Sequence, residues 1–361
     1  LVEAYLGLAS AYSAVRQIDS AQAALLTARR LAPEHPGLRG AESGLAYARE
    51  QYQEAADIWL ELLAERPSDA NLYHNLGIAM RFLGRWEEAR TYLTKASELD
   101  GFHVNNHWVL SNTLRVLRDY DRAEFHLDRW DDLTKEGRIL GSRMRLAWDR
   151  AWLRLAADGD IPGARRELEA LADEIGRETV LNGAIWVDAT HPMLRLLGEP
   201  WVADFRAGRW EALSAQQIQA GRQANVHLAR ADLEDAAGDH DKALLFYDSA
   251  LVALEDLQPW SENMYGVAAI ATAGLGRVEE AVALAEQALR MRPVEGTRDG
   301  WLNLWYLART LIVAGEYDRA VEALDSLLSV PSDYSRTWMS INPFFEPLRD
   351  HPGFQALVEG A

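Results

Sequence analysis

The chain contains no cysteine, and only three of its 37 basic residues are lysines, at Lys95, Lys135 and Lys242. Without cysteine there is neither a disulfide framework nor thiolate chemistry. The remaining basic residues are arginines. We read that skew as the mark of a GC-rich bacterial genome rather than of phosphate binding. Positive charge is also short in total: 55 acidic residues leave a net charge of −18. A surface of that sign repels phosphate backbones, so no nucleic-acid partner is expected. No apolar run reaches the length of a membrane span, and no signal peptide is visible. A membrane span is therefore not expected, and a cytoplasmic location is. Strand patterns are almost missing. The chain opens at Leu1, without Met and inside a helical pattern, so a natural segment ahead of it is expected.

What is present is a folded, helix-forming sequence: 361 residues, 48% hydrophobic, rich in Leu and Ala. Tyr73 to Asp100 reads as two amphipathic helices broken at Gly84. Leu76, Gly77 and Met80 lie at helical spacing in the first, and Ala89, Leu93 and Ala96 in the second. The pattern recurs at a fixed interval. Ala21, Ala55, Ala89 and Ala123 are each 34 residues apart. Around them recur Leu25, Trp59, Leu93 and Leu127, an aromatic before the Ala (Tyr52, Trp86, Tyr120), and Pro33, Pro67 or Gly101 after the second helix.

This arrangement resembles the tetratricopeptide repeat family, a two-helix unit. The resemblance implies an all-α, alpha-alpha superhelix, a solenoid of stacked antiparallel helix pairs with a short C-terminal capping segment. Past Lys135 the period breaks. Repeat-like second helices return at Ala164, weakly near Trp210, and then at Ala243, Ala281 and Ala320. The expected organisation is a regular array over 1–135, an irregular helical centre over 136–220, a second array over 221–340 and a cap over 341–361.

The closing stretch, INPFFEPLRDHPGFQALVEG, carries three prolines and three phenylalanines. Asn342 with Pro343, and Asp350 or His351 with Pro352, read as helix starts. Phe344, Phe345 and Leu348 form one apolar face, and Phe354, Leu357 and Val358 another. This predicts a lid over the last repeat. Leu324 to Gly360 resembles the ending of tetratricopeptide regions in bacterial signalling proteins. There such regions follow a serine/threonine kinase, a nucleotide cyclase or a winged-helix regulator.

Signals for chemistry are sparse. There is no Gly-rich phosphate loop and no Gly-x-Ser-x-Gly elbow. His103 and His107 are four apart, a spacing that could hold a metal on one helix face, but no third ligand is evident. Carboxylate pairs such as Glu87-Glu88 and Asp131-Asp132 are expected in exposed helix starts, as a solvated face that the helix dipole favours. Neither a cofactor nor a metal is expected.

One constellation stands out. The family's inward-facing positions, carried onto the third and fourth repeats, select Asn71, His74, Arg81, Asn105, Trp108, Asn112 and Arg115. These form a polar island with two guanidiniums in an acidic chain. Asn can grip a peptide backbone and Arg can fork onto a carboxylate. The family's groove lysines are missing here. The expected function is a non-catalytic protein–protein interaction module, regulatory or scaffolding, that takes a protein or peptide in its groove. The alternative is an enzyme or small-molecule sensor with a site in the irregular centre. Self-association stays open.

Overall fold

The structure is a computed structural model and describes residues 1–136, 140–184, 190–207 and 220–360. All regular structure among these residues is helical. Eight helices open the chain as four pairs. They are α1 (Val2–Ala14) with α2 (Ile18–Leu31), α3 (Gly37–Ala48) with α4 (Tyr52–Glu65), α5 (Ala70–Phe82) with α6 (Trp86–Leu99), and α7 (Val104–Val116) with α8 (Tyr120–Thr134). The second helices begin at residues 18, 52, 86 and 120, so the sequence period is the structural period.

The anchors behave as the pattern requires. Ala21, Ala55, Ala89 and Ala123 are all fully buried. In α2 the buried positions are Ala21, Ala24, Leu25 and Ala28, an i, i+3, i+4, i+7 stripe. The helices of the third pair approach so closely that a Cβ at Gly77 would lie 2.5 Å from the Cγ of Leu93. Tyr52, which precedes an anchor Ala, stacks on Phe82 of the next pair with ring centroids 4.4 Å apart.

Thirteen further α-helices follow among the described residues. Five come first: α9 (Leu140–Ala157), which pairs with α10 (Ile161–Ile175), and then three of eight residues each, α11 (Arg177–Ala184), α12 (Thr190–Leu197) and α13 (Glu199–Arg206). Three pairs come next: α14 (Ala220–Ala236) with α15 (His240–Val252), α16 (Glu262–Gly274) with α17 (Val278–Met291), and α18 (Gly300–Val313) with α19 (Tyr317–Ser329). Their anchors Ala243, Ala281 and Ala320 are buried, as is Ala164 in α10. The echo near Trp210 lies outside the described residues. The fold class is all-α, of the superhelical repeat type.

The chain divides into two compact units. The first comprises Leu1–Leu117, Phe125–Leu133 and Glu295–Arg298; the second comprises Arg118–Glu124, Thr134–Val294 and Asp299–Ala361. The first unit has one core cluster around Ala9, Leu25 and Leu45. Another surrounds Ala55, Trp59, Leu76 and Met80. The second unit has one continuous cluster running from Trp148 to the tail. Within it Asp232 and Arg309 form a buried ion pair, and the Tyr247 hydroxyl donates to Asp232 at 3.4 Å. Burial pushes the Asp232 carboxyl up, while Arg309 opposes that shift.

The closing stretch folds onto the second unit as α20 (Arg336–Ile341), a 3-10 segment (Pro343–Leu348) and α21 (Pro352–Glu359). Phe345, Leu348 and Phe354 are buried, and Phe345 stacks on Phe354 at 5.4 Å. Phe344 and Phe345 both pack on Trp305 of α18. Burial of each such side chain is worth about 1.5–3 kcal/mol. Asn342 caps as expected, its Oδ1 accepting from the Phe344 N–H at 2.9 Å. The start of α21 differs from one of the two readings. Its N-cap is His351, which makes no side-chain cap bond, while Asp350 lies one residue too early. The Pro352 ring sets the turn, and the His351 Nε2 reaches Asp318 instead, at 3.0 Å.

Candidate functional site

The first helices of the opening repeats, α1, α3 and α5, share the wall of a hollow of about 320 Å³ in the first unit. Repeat-equivalent positions build it. Ser10, Gly44 and Ile78 form one column, at 34-residue intervals, and Ser13 with Tyr47 begins a second. Small side chains make the space: Ser10, Ser13, Ala14, Gly44 and Ala48 stand on α1 and α3, where α5 carries the larger Ile78, Arg81 and Phe82. A Cβ at Gly44 would meet nothing within 4 Å. Trp59 of α4 and Tyr47 supply the aromatic floor.

An aromatic cluster extends from that floor. Tyr47 lies 5.9 Å from Trp59, 5.4 Å from Tyr52 and 5.8 Å from Phe82, centroid to centroid. The guanidinium of Arg298 sits 4.4 Å above the Phe82 ring, a cation–π contact. Arg298 arrives on the segment 295–298, which belongs to this unit. Burial raises the Tyr47 phenol, while Arg298, Arg16 and Arg81 pull it down. Three guanidiniums are therefore close enough to act on one phenol. Arg16 is also paired with Glu50 at 2.7 Å. The Ser13 Oγ is buried without a hydrogen-bond partner.

The residues selected by sequence occupy α5, α7 and their starts. Asn71 and Asn105 are exposed, and His74, Arg81, Trp108 and Arg115 are part-buried. Asn112 is buried. Its amide donates to the Trp108 carbonyl at 2.9 Å, and its Oδ1 accepts from Arg115 at 3.2 Å. Arg81 lies over the Trp86 ring at 5.7 Å. The structure brings His74 to within 5.5 Å of the His103 ring. Burial lowers the His74 imidazole, with help from His103 and Arg81 and against a hydrogen bond with Asn106. His103 and His107 do not converge on one point. His103 faces His74, whereas His107 Nδ1 meets His126 Nδ1 at 2.9 Å and its Nε2 bonds the Gly101 carbonyl at 3.0 Å. Among the described residues no group of three or more His, Asp or Glu side chains is placed to hold a metal ion.

Ser10, Ser13, Gly44, Tyr47 and Asn75 were not selected from the sequence. A signal for the first four was there. Ser10 and Gly44 precede Ile78 and Asn112 in one column, and Ser13 and Tyr47 precede Arg81 and Arg115 in another. Nothing local signals Arg298.

In the centre of the chain, a second hollow of about 480 Å³ is lined by Glu169, Asp173, Glu178, Asp204 and Arg177. Arg177 bonds Asp204 at 2.7 Å. The hollow therefore presents carboxylates beside an ion pair.

Tetratricopeptide repeat models match residues 45–100 and residues 6–70 and 267–335. Those segments are tetratricopeptide repeats. The hollow at α1, α3 and α5 lies in the matched repeats, and Asn71, His74 and Arg81 lie in the 45–100 match. No curated protein sequence matches the chain. Among solved structures, a tetratricopeptide repeat protein from Parabacteroides merdae ATCC 43184 is 14% identical, with a TM-score of 0.48 over 86% of this chain and 98% of that one. Yeast Tom70 is 16% identical, with a TM-score of 0.46 over 90% of this chain and 66% of that one. Tetratricopeptide repeats make a protein-interaction module, and their fold is generally a non-catalytic scaffold. No helix among the described residues is long and apolar enough to cross a membrane.

Proposed function

We propose that this chain is a regulatory or scaffolding interaction module that holds a peptide or protein segment along the first-helix columns of its opening repeats. The observation that carries this reading is the hollow walled by three successive first helices, with its Ser, Asn and Arg groups around an aromatic floor. Extended partners bind by placing side chains in such recesses while polar groups grip the backbone. Arg81, Asn112 and Arg115 continue the same columns into the third and fourth repeats; Asn71, His74, Asn105 and Trp108 stand on the same two first helices, α5 and α7, and we assign all seven to the same surface. The resemblance of the C-terminal stretch to bacterial signalling proteins supports a place for the module beside a kinase, a cyclase or a winged-helix regulator.

The test is a random-sequence peptide array probed with the full chain and with Arg81→Ala/Arg115→Ala. Bound peptides should lose affinity in the double variant, and the salt dependence should become shallower. An array with no bound peptide, or equal affinity and equal salt dependence for the two proteins, would remove this reading.

A further inference from the structure

We propose that the hollow of the first unit seats one bulky apolar side chain of an acidic peptide segment. This deepens the interaction-module reading and rests on it. Three observations converge. The hollow has open space at Gly44, where a Cβ would meet nothing within 4 Å, and Trp59 and Tyr47 among its lining, so it offers apolar surface and room for an aromatic or branched side chain. Its rim is polar, and the Ser13 Oγ is buried at the wall without a partner. A buried hydroxyl left unmatched is costly, and a peptide amide or carbonyl seated there would satisfy it.

The third observation is charge. The chain carries 55 acidic residues, yet none of the described residues that line the hollow is Asp or Glu. Arg16 stands at its edge, and Arg298 lies over Phe82, whose ring is 5.8 Å from Tyr47. Arg81 acts on the same phenol. A local cationic rim on a protein of net charge −18 favours an anionic partner at this place over the rest of the surface. Glu50 draws on Arg16 and so moderates that selection.

The experiment uses the full chain and a fluorescein-labelled peptide of glutamates around one central phenylalanine. Two control peptides replace the phenylalanine by alanine or the glutamates by lysines. Gly44→Ile fills the recess as Ile78 does one repeat later. Its Cβ enters open space, and a melting curve checks folding. Ser10→Leu is the second filling variant, at an exposed position. Fluorescence anisotropy should show wild type binding the phenylalanine peptide about tenfold or more tightly than either control. Gly44→Ile and Ser10→Leu should each remove that preference, and Glu50→Gln should tighten the acidic peptide severalfold. The proposal is overturned if phenylalanine and alanine peptides bind equally, if the lysine peptide binds as well as the acidic one, or if both filling variants bind as wild type does. Failure of these peptides alongside array peptides that depend on Arg81 and Arg115 would overturn this inference and leave the interaction surface standing. An empty array would overturn both.

Discussion

The turn inside each helix pair differs between the opening repeats and the later ones. In every described turn of this kind one residue takes a left-handed backbone. Later in the chain that residue is always glycine among the described turns: Gly159, Gly238, Gly276 and Gly315, with φ from 68° to 82°. In the opening repeats it is Arg16, Glu50, Gly84 and Arg118, with φ of 57°, 64°, 69° and 61°. A side chain in this region costs about 1 kcal/mol or more. The opening repeats therefore accept strain at three turns where the later ones accept none, and their side chains make contacts that glycine cannot. Arg16 and Glu50 pair with each other. The Arg118 guanidinium donates to the Tyr334 carbonyl at 2.8 Å, the Val330 carbonyl at 2.9 Å and the Ser332 hydroxyl at 2.9 Å. Gly84 keeps glycine for another reason: a Cβ there would come within 2.9 Å of the Thr297 carbonyl oxygen.

The largest break in the comparison should come from Arg118. Arg118→Ala keeps the left-handed strain and loses the three short bonds. A net loss of about 2–3 kcal/mol is expected, read from urea unfolding. Arg118→Gly should recover about 1 kcal/mol of it by relieving the backbone. If Arg118→Gly matched or exceeded wild type, these bonds would not be what keeps an arginine at this turn.

A smaller effect separates Glu50 from Gly276. Both side chains of the Arg16–Glu50 pair are more than half exposed, and such pairs contribute only about 0–1 kcal/mol. Glu50→Gly should therefore be neutral or stabilising by up to about 1 kcal/mol. Gly276→Glu should cost about 1–2 kcal/mol, because the strain arrives with no partner to offset it. Thermal midpoints of the two single variants decide the matter. A clear loss in Glu50→Gly would show that the pair outweighs the strain.

The smallest effect is pH-dependent and belongs to the opening repeats. His74 titrates below its ordinary value because burial and neighbouring His103 and Arg81 disfavour its charged form. The unfolded chain then binds more protons in the window just under about pH 6.5. Stability of the first unit should fall as pH drops through that window. Urea midpoints at pH 7.5 and pH 5.5 should show the loss in wild type and a smaller one in His74→Gln. A first unit that became more stable on acidification would reverse the assigned direction.

Much of this molecule was legible in its sequence. The interval between Ala21, Ala55, Ala89 and Ala123 named both the helix pair and its contact face, because a small residue is needed wherever two helices close up. The tail was legible as a lid because its apolar residues group by helical spacing behind Pro343 and Pro352. The recess was only half legible. The columns containing Arg81, Asn112 and Arg115 are those of the hollow, but only their polar members carry a recognisable chemical signal. A cavity is made by the absence of side-chain volume, at Ser10, Ser13 and Gly44, and absence gives no motif.

What the sequence by itself determined is therefore what repeats: helix pairs, their anchors, their turns and the first-helix columns. Each depends on residues within one unit or its immediate neighbour, so periodic spacing encodes it. The tertiary structure alone decided what does not repeat. It set Arg298 over Phe82, Arg118 on the carbonyls of Tyr334 and Val330, and Asp232 against Arg309. These contacts join residues far apart in the chain, where no local period or propensity constrains the partner. They form only when packing has already brought the elements together, which is why no reading of spacing could have found them.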